Sequence, residues 1–362
     1  MPGRIWPRRC ALVLIAALAG LSYGWAIAQD TLEFYYAAAV RSMSMSWHNF
    51  IFGAFDPAGT ISLDKLPGAF WIQALAVRAF GFHPWVIILP QAAEGVLTVL
   101  VLYRAVSRLA GPTAGLVAAL IVAASPATVA LNRGNISDSL MILLLVLAAD
   151  ALSAAIAAKG GPRWGTQAWL ALAAFWVGLA FQAKMIEAWL VLPAFGLAFL
   201  LDGPGPLARR VRQVVVAGIV AGIVSLAWMT AVSLVPAAHR PYTDGSSNDS
   251  VYAQVFVYNG FGRFGDQTPV QLLSSQLAPN QSLYIAPSGV DRLFTGSLGR
   301  DAGWLLPAAF LAAIWGIASR WRRPRGDGLR ACYVPWGTWL LILAVTASPA
   351  ACAARTRSAG PA

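Results

Sequence analysis

Charge is what this 362-residue chain has least of. Asp, Glu, Lys and Arg make up 11% of it, less than half the roughly 25% of a soluble domain. With 58% hydrophobic residues, that scarcity excludes a soluble globular enzyme. Cysteine is as rare. Cys10, Cys332 and Cys352 are too few for a disulfide framework and lack metal-ligand spacing. Cys10 and Cys332 adjoin arginine-rich segments expected in the cytoplasm, where thiols stay reduced. The three histidines, His48, His83 and His239, are too scattered for a metal site. No cofactor is expected, with a divalent cation left open. There is no internal repeat or low-complexity tract, which excludes solenoid architectures.

What the chain has is long apolar runs, several near the ~20 residues that cross a bilayer. Arg4, Arg8 and Arg9 precede the run from Cys10 to Ala28. Ala26-Ile27-Ala28 has the look of a signal-peptidase site, but Tyr23 and Trp25 extend the run toward a full span, and a retained anchor is expected. Eight more spans are expected at about 85–103, 113–131, 140–158, 168–183, 186–201, 214–235, 303–319 and 333–351. With the N-terminus inside, the cytoplasmic segments collect 15 of the 26 Lys and Arg residues, while 11 of the 15 acids lie at or beyond the outer surface. This is the pattern of the positive-inside rule. The net charge of +11 is thus accounted for by orientation, and nucleic acid is dropped as a partner. The expectation is a single all-α, nine-span membrane domain over residues 1–362. It has two outer loops, 29–84 and 236–302, carrying short juxtamembrane helices, and an atypical tail at 352–362.

Most helix connections run roughly two to eight residues; the first outer loop is far longer. It carries Asp30, Glu33, Asp56, Asp64 and Lys65. Acids beside a membrane surface with a cation nearby suit chemistry on a lipid-borne, phosphorylated substrate. On a helix Asp30 and Glu33 would share one face near Tyr36, and either carboxylate can serve as a general base. The plainer reading is acids placed against a helix dipole. Lys65, between Asp64 and Leu66-Pro67, is either a snorkelling anchor or a point charge for phosphate. In the turn 132–138, Asp138 suits a helix N-terminus and Arg133 suits phosphate binding. Lys184 and Glu187 bracket a further outer turn, where they can simply pair. Glu94 and Asp150 fall inside spans, where a charge is expensive. They are structural pairs, or a proton relay. The second outer loop, rich in Gly, Ser, Asn, Gln and Tyr, reads equally as a sugar-contacting or a solvated loop.

Several of these segments occur in a familiar order: 34–43, 46–50, 55–59, Asp64-Lys65-Leu66-Pro67 and Asn135-Ile136-Ser137-Asp138. Together they resemble bacterial membrane glycosyltransferases of the protein O-mannosyltransferase and aminoarabinose-transferase superfamily, the GT-C fold class. Arg240-Pro241-Tyr242 and residues 258–263 resemble a bacterial branch of family 39. The resemblance implies transfer of a hexosyl or pentosyl group from a polyprenyl-phosphate carrier, with inversion, at the outer face of the cytoplasmic membrane. The acceptor would be a protein, lipid or cell-wall glycan. It implies Asp30 or Glu33 as the base, and Lys65 with Lys184 on the carrier phosphate, to which the residues themselves add Arg133. Tyr36, Asp56, Asp64 and Asp138 would support them. The chain departs from the pattern in its separated Asp30 and Glu33, in Leu66-Pro67 where Pro-Pro is usual, and in its early end, which reads as truncation. Two alternatives stand beside this reading: a proton-coupled transporter using Glu94 and Asp150, and an inactive truncated remnant.

Overall fold

Hydrocarbon offers no partner to a backbone N–H or C=O, so apolar runs must satisfy these groups internally, as helices. The computed structural model describes residues 5–158, 163–261, 294, 299–300, 303–324 and 327–347. Lys159, Gly262, Arg263, Asp266, Asp291, Asp301, Arg325 and the tail beyond Ala347, all within segments considered above, lie outside the described residues. Among those described there is no β-strand beyond two isolated bridges.

Helix α1 spans Ile5–Gly24. Three short helices follow: α2 (Phe34–Met45), α3 (Trp47–Phe52) and α4 (Gly68–Phe80). The bundle continues with α5 (Pro84–Ala110), α6 (Pro112–Ala124), α7 (Pro126–Asn132), α8 (Asp138–Ala157) and α9 (Arg163–Lys184). Then come α10 (Ile186–Trp189), α11 (Leu192–Asp202), α12 (Leu207–Ser233), α13 (Leu306–Arg320) and α14 (Gly328–Ala347). The protein is an all-α, multi-pass membrane protein.

The nine expected spans all fall largely on helices, but six are long and apolar enough to cross a bilayer as single helices among the described residues. A seventh requires α6 and α7 to count together, and these bend by 63° at Ser125. The residue before a proline is pushed out of the helical region, and Ser125 has φ −68° and ψ 125°. Pro126 also lacks the N–H that the Val122 carbonyl would receive. Tyr23, fully buried, points its hydroxyl at the Val122 and Ala123 carbonyls, 3.5 and 3.4 Å away. The stretch expected as one span at 186–201 is instead divided between α10 and α11.

Helix α8 lies at the centre, against α9 and α5, and α9 packs in turn against α12. Leu144, Leu145, Ala148 and Leu152 of α8 share a core with Ala173, Val177 and Phe181 of α9. Buried Asp150 receives Arg104 Nη2 at 2.6 Å and Arg108 Nη1 at 3.0 Å, so it bolts α8 to α5 as a structural pair. It sits twelve residues along α8 from Asp138, about 18 Å at 1.5 Å per residue.

The short helices, the Arg133–Asp138 turn and the α9–α10 junction gather at one end, here the loop end. Gly68, first residue of α4, meets α9 there: a Cβ on Gly68 would come within 2.5 Å of the Gln182 carbonyl. Only glycine permits this approach, which seats the segment carrying Lys65 near the end of α9. Gly68→Ala is therefore expected to cost about 1–3 kcal/mol through overpacking, read as a lower Tm in detergent. A wild-type Tm would show that the α4–α9 contact yields freely.

Candidate active site

The turn between α7 and α8 organises the loop end. Its first residue, Arg133, donates to Asp30 Oδ1 at 2.7 Å and to the Ser22 and Trp25 carbonyls at 3.1 and 2.7 Å. The latter lie at the end of α1, whose carbonyls have no helical partners of their own. Asn135, fully buried, accepts the Glu33 N–H at 2.6 Å and donates to the Glu33 carbonyl at 3.0 Å. Asp138 opens α8 and receives Lys184 Nζ at 2.5 Å. Glu187 Oε2 lies 3.3 Å from the same ammonium.

Asp30 and Glu33 do not share a helix. Asp30 is extended, at φ −69° and ψ 144°, and Glu33 is the N-cap of α2, its Oε2 accepting the Tyr36 N–H at 2.7 Å. The i, i+3 expectation fails because the helix starts at Phe34, after both acids. Glu33 thus does the capping work that the plainer reading gave to either acid. Asp30 differs: Arg133 holds Oδ1, while buried Oδ2 has no hydrogen-bond partner.

Lys65 rests with Nζ 4.5 Å from the Tyr36 ring centroid and 3.7 Å from Asp64 Oδ2. Tyr36 stacks on Phe70 of α4 at 4.8 Å. A cation on an aromatic face gains about 0.5–1 kcal/mol at exposed sites and more when desolvated. Asp56 stands apart from these groups, receiving the Thr60 and Ile61 N–H groups at 2.8 and 3.0 Å. Partial burial works against its charge, yet those N–H groups hold it below the usual carboxylate range. Its work is to close the turn before Ser62.

That turn is stitched to the second loop. Ser62 N–H donates to the Tyr242 carbonyl at 2.8 Å, and Tyr242 N–H to the Thr60 carbonyl at 2.9 Å. The Tyr35 hydroxyl accepts the Asp64 N–H at 2.8 Å and donates to Asp244 Oδ2 at 3.0 Å. Burial, then the Asp64 and Asp244 carboxylates, push the Tyr35 phenol well above its ordinary pKa, so it stays a donor. The sequence reading passed over Tyr35, Asn135, Asp244, Gln254 and Asn259 as site residues. Their partners are about 100 or more residues distant, or on the backbone, and leave no local pattern.

The backbone departs from common geometry where α9 ends. Met185, buried, has φ 54° and ψ −136°, a region that costs a non-glycine residue about 1–3 kcal/mol. The reversal stops α9 just after Lys184 and brings Glu187 round to the same ammonium.

Among the described residues no group of three or more His, Cys, Asp or Glu is placed to hold a metal. The arrangement offers instead a positioned carboxylate and two lysines among acids and aromatics at one end of a membrane bundle. Solved structures with this architecture are membrane glycosyltransferases of the GT-C class. ArnT from Cupriavidus metallidurans bound to undecaprenyl phosphate matches with TM-score 0.58 and 17% identity, over 92% of this chain and 59% of that one. An Archaeoglobus fulgidus oligosaccharyltransferase tethered with an acceptor peptide matches with TM-score 0.53 and 14% identity, over 95% and 50%.

Sequence relatives point the same way. Residues 64–229 match the family described as dolichyl-phosphate-mannose-protein mannosyltransferase. Two Bacillus subtilis (strain 168) proteins are similar. "Putative mannosyltransferase YycA" is 38% identical over 259 residues, 71% of this chain and 37% of that protein. "Putative mannosyltransferase YkcB" is 39% identical over 252 residues, 70% and 34%. In fold and in sequence the chain is similar to membrane glycosyltransferases of the GT-C class, and it spans little more than a third of the length of these curated relatives.

The 240–249 loop carries a pH-sensitive contact. Asp249 Oδ1 receives the Thr243 N–H at 2.7 Å and Arg240 Nη1 at 2.8 Å. Burial opposes its charge, but Thr243 and Arg240 prevail and lower its pKa. A depressed folded pKa stabilises above the unfolded value, near 3.9, and that contribution fades as pH falls through the folded one. Wild type should lose its Tm advantage over Asp249→Asn as the medium is taken from about pH 6 to about pH 3. A constant difference would rule out the titration.

Proposed function

We propose that this chain moves a sugar from a polyprenyl-phosphate carrier to an acceptor at the outer face of the cytoplasmic membrane, with inversion. The observation that carries the reading is Asp30. One of its oxygens is fixed by Arg133, the other has no hydrogen-bond partner, and both lie in the loop-end cluster that includes Lys65. Asp30 Oδ2 takes the proton of an acceptor hydroxyl or amine as that atom bonds to the anomeric carbon. The bond from this carbon to the carrier oxygen breaks, and its electron pair leaves on the phosphate. A single displacement of this kind inverts the centre. Lys65 and Lys184 stabilise the charge growing on the leaving phosphate, and electrostatic stabilisation of this kind is often what lowers a barrier most. Arg133 serves chiefly to aim Asp30, and Glu33 to cap α2.

The bound undecaprenyl phosphate of the ArnT structure supports a polyprenyl carrier. The tethered peptide of the archaeal enzyme supports a macromolecular acceptor. The family and Bacillus matches favour mannose as the sugar. The proton-coupled alternative gains nothing from Asp150, which is engaged by two arginines.

The test is transfer of label from a radiolabelled polyprenyl-phosphate sugar in membranes containing the protein. Asp30→Asn should lower turnover by about 10²–10⁴-fold, the range for a general base. Glu33→Gln keeps an acceptor for the Tyr36 N–H and should cost less than about tenfold. The reverse order would hand the base role to Glu33. Lys65→Ala should abolish transfer with membrane insertion intact, and wild-type turnover in that variant would remove Lys65 from the mechanism.

A further inference from the structure

Lys65 is short of freedom for a reason that lies far away in sequence. The polar groups of the backbone just before it are taken by side chains of other segments. Gln254 Nε2 donates to the Leu63 carbonyl at 2.8 Å, and Asn259 Nδ2 to the Asp64 carbonyl at 2.6 Å. The Asp64 N–H donates to the Tyr35 hydroxyl. These side chains are also tied to one another. Tyr35 donates to Asp244 Oδ2, Gln254 Nε2 donates to the Asp244 carbonyl at 2.8 Å, and Asn259 Nδ2 reaches the Gln254 carbonyl at 3.2 Å.

The result is a closed circuit in which Gln254 uses both amide hydrogens and is itself buried. Gln254 and Asn259 lie on and just after a π-helical turn, Ala253–Tyr258, a geometry found mostly as single turns at functional sites. On the other side of Lys65, Leu66 is fully buried, and Pro67 fixes the chain before α4. A lysine whose backbone is held on both sides can place its ammonium without a search over conformers, which is the condition for preorganised electrostatics.

We propose that the Tyr35–Asp244–Gln254–Asn259 circuit is the positioning element for Lys65, through which the second loop sets the grip of the site on the carrier phosphate. This rests on the phosphate-binding role proposed for Lys65 above. Tyr35→Phe breaks the circuit while keeping the ring, which stacks on Phe55 at 4.6 Å.

The experiment is equilibrium binding of a polyprenyl monophosphate to the full chain in lipid nanodiscs, with Tyr35→Phe made alone and on Lys65→Ala. Asp244→Leu, which removes the same bond from its other end, is measured alongside as a second route should Tyr35→Phe fold poorly. Either variant should weaken affinity about tenfold in the wild-type background, and by less than about twofold once Lys65 is gone, since residues acting through one another are not additive. An equal loss in both backgrounds would make the circuit merely structural and overturn the proposal. So would unchanged affinity in both variants while Lys65→Ala weakens binding. Unchanged affinity in Lys65→Ala itself would instead sink the phosphate role of the lysine, a separate and distinguishable failure.

Discussion

The six residues from Arg133 to Asp138 fix the rest of the loop end. Helices α7 and α8 are held in the bundle by apolar packing, so the turn between them inherits a position it does not have to maintain itself. From that position it reaches three separate segments: Asp30 through Arg133, Glu33 through Asn135, and Lys184 through Asp138. The Arg133–Asp30 pair is about a quarter exposed at each end, so solvent screens it and its stabilising worth is modest. Its value lies in direction. The Asn135 clamp is the stronger tie, because a buried amide with both functions satisfied would leave two backbone groups orphaned if removed.

Among the described residues two acids are buried within long helices, Glu94 in α5 and Asp150 in α8, and Asp150 is paired. Asp150 with Arg104 and Arg108 forms a self-contained cluster about 18 Å along α8 from Asp138, with Met141, Leu144, Leu145 and Ala148 between. The loop-end cations are likewise already shared with acids, Lys184 with Asp138 and Glu187, and Lys65 with Asp64. Such sharing restrains where each ammonium sits.

The fold was legible because its cause is one-dimensional. Apolar length gives the helices, and the sorting of basic and acidic residues gives the two sets of loops. Pro126 announces the α6–α7 bend in the same local way. Met185 announces nothing, since a left-handed φ is written in sequence only where glycine or asparagine supplies it. The gathering of residues 30–36, 64–65, 133–138 and 184 at one end followed from the alternation of spans. That Arg133 pairs with Asp30 and Lys184 with Asp138 did not, because these partners are 103 and 46 positions away. The circuit around Tyr35 was invisible for a deeper reason. Three of its bonds join residues about 200 positions apart, and several end on main-chain carbonyls, whose place depends on the fold rather than on residue type.

The separation of Asp30 from Glu33 shows how a helix boundary assigns chemistry. Had α2 begun four residues earlier, both acids would have lain on one face of one turn with like charges facing each other. Starting at Phe34, the helix engages one Glu33 oxygen, Oε2, through the Tyr36 N–H. Asp30, left outside in extended backbone, is bound on one oxygen by an arginine that fixes its plane. Its second oxygen, Oδ2, is buried without a hydrogen-bond partner. A difference of three residues and one cap therefore gives two chemically similar acids different surroundings.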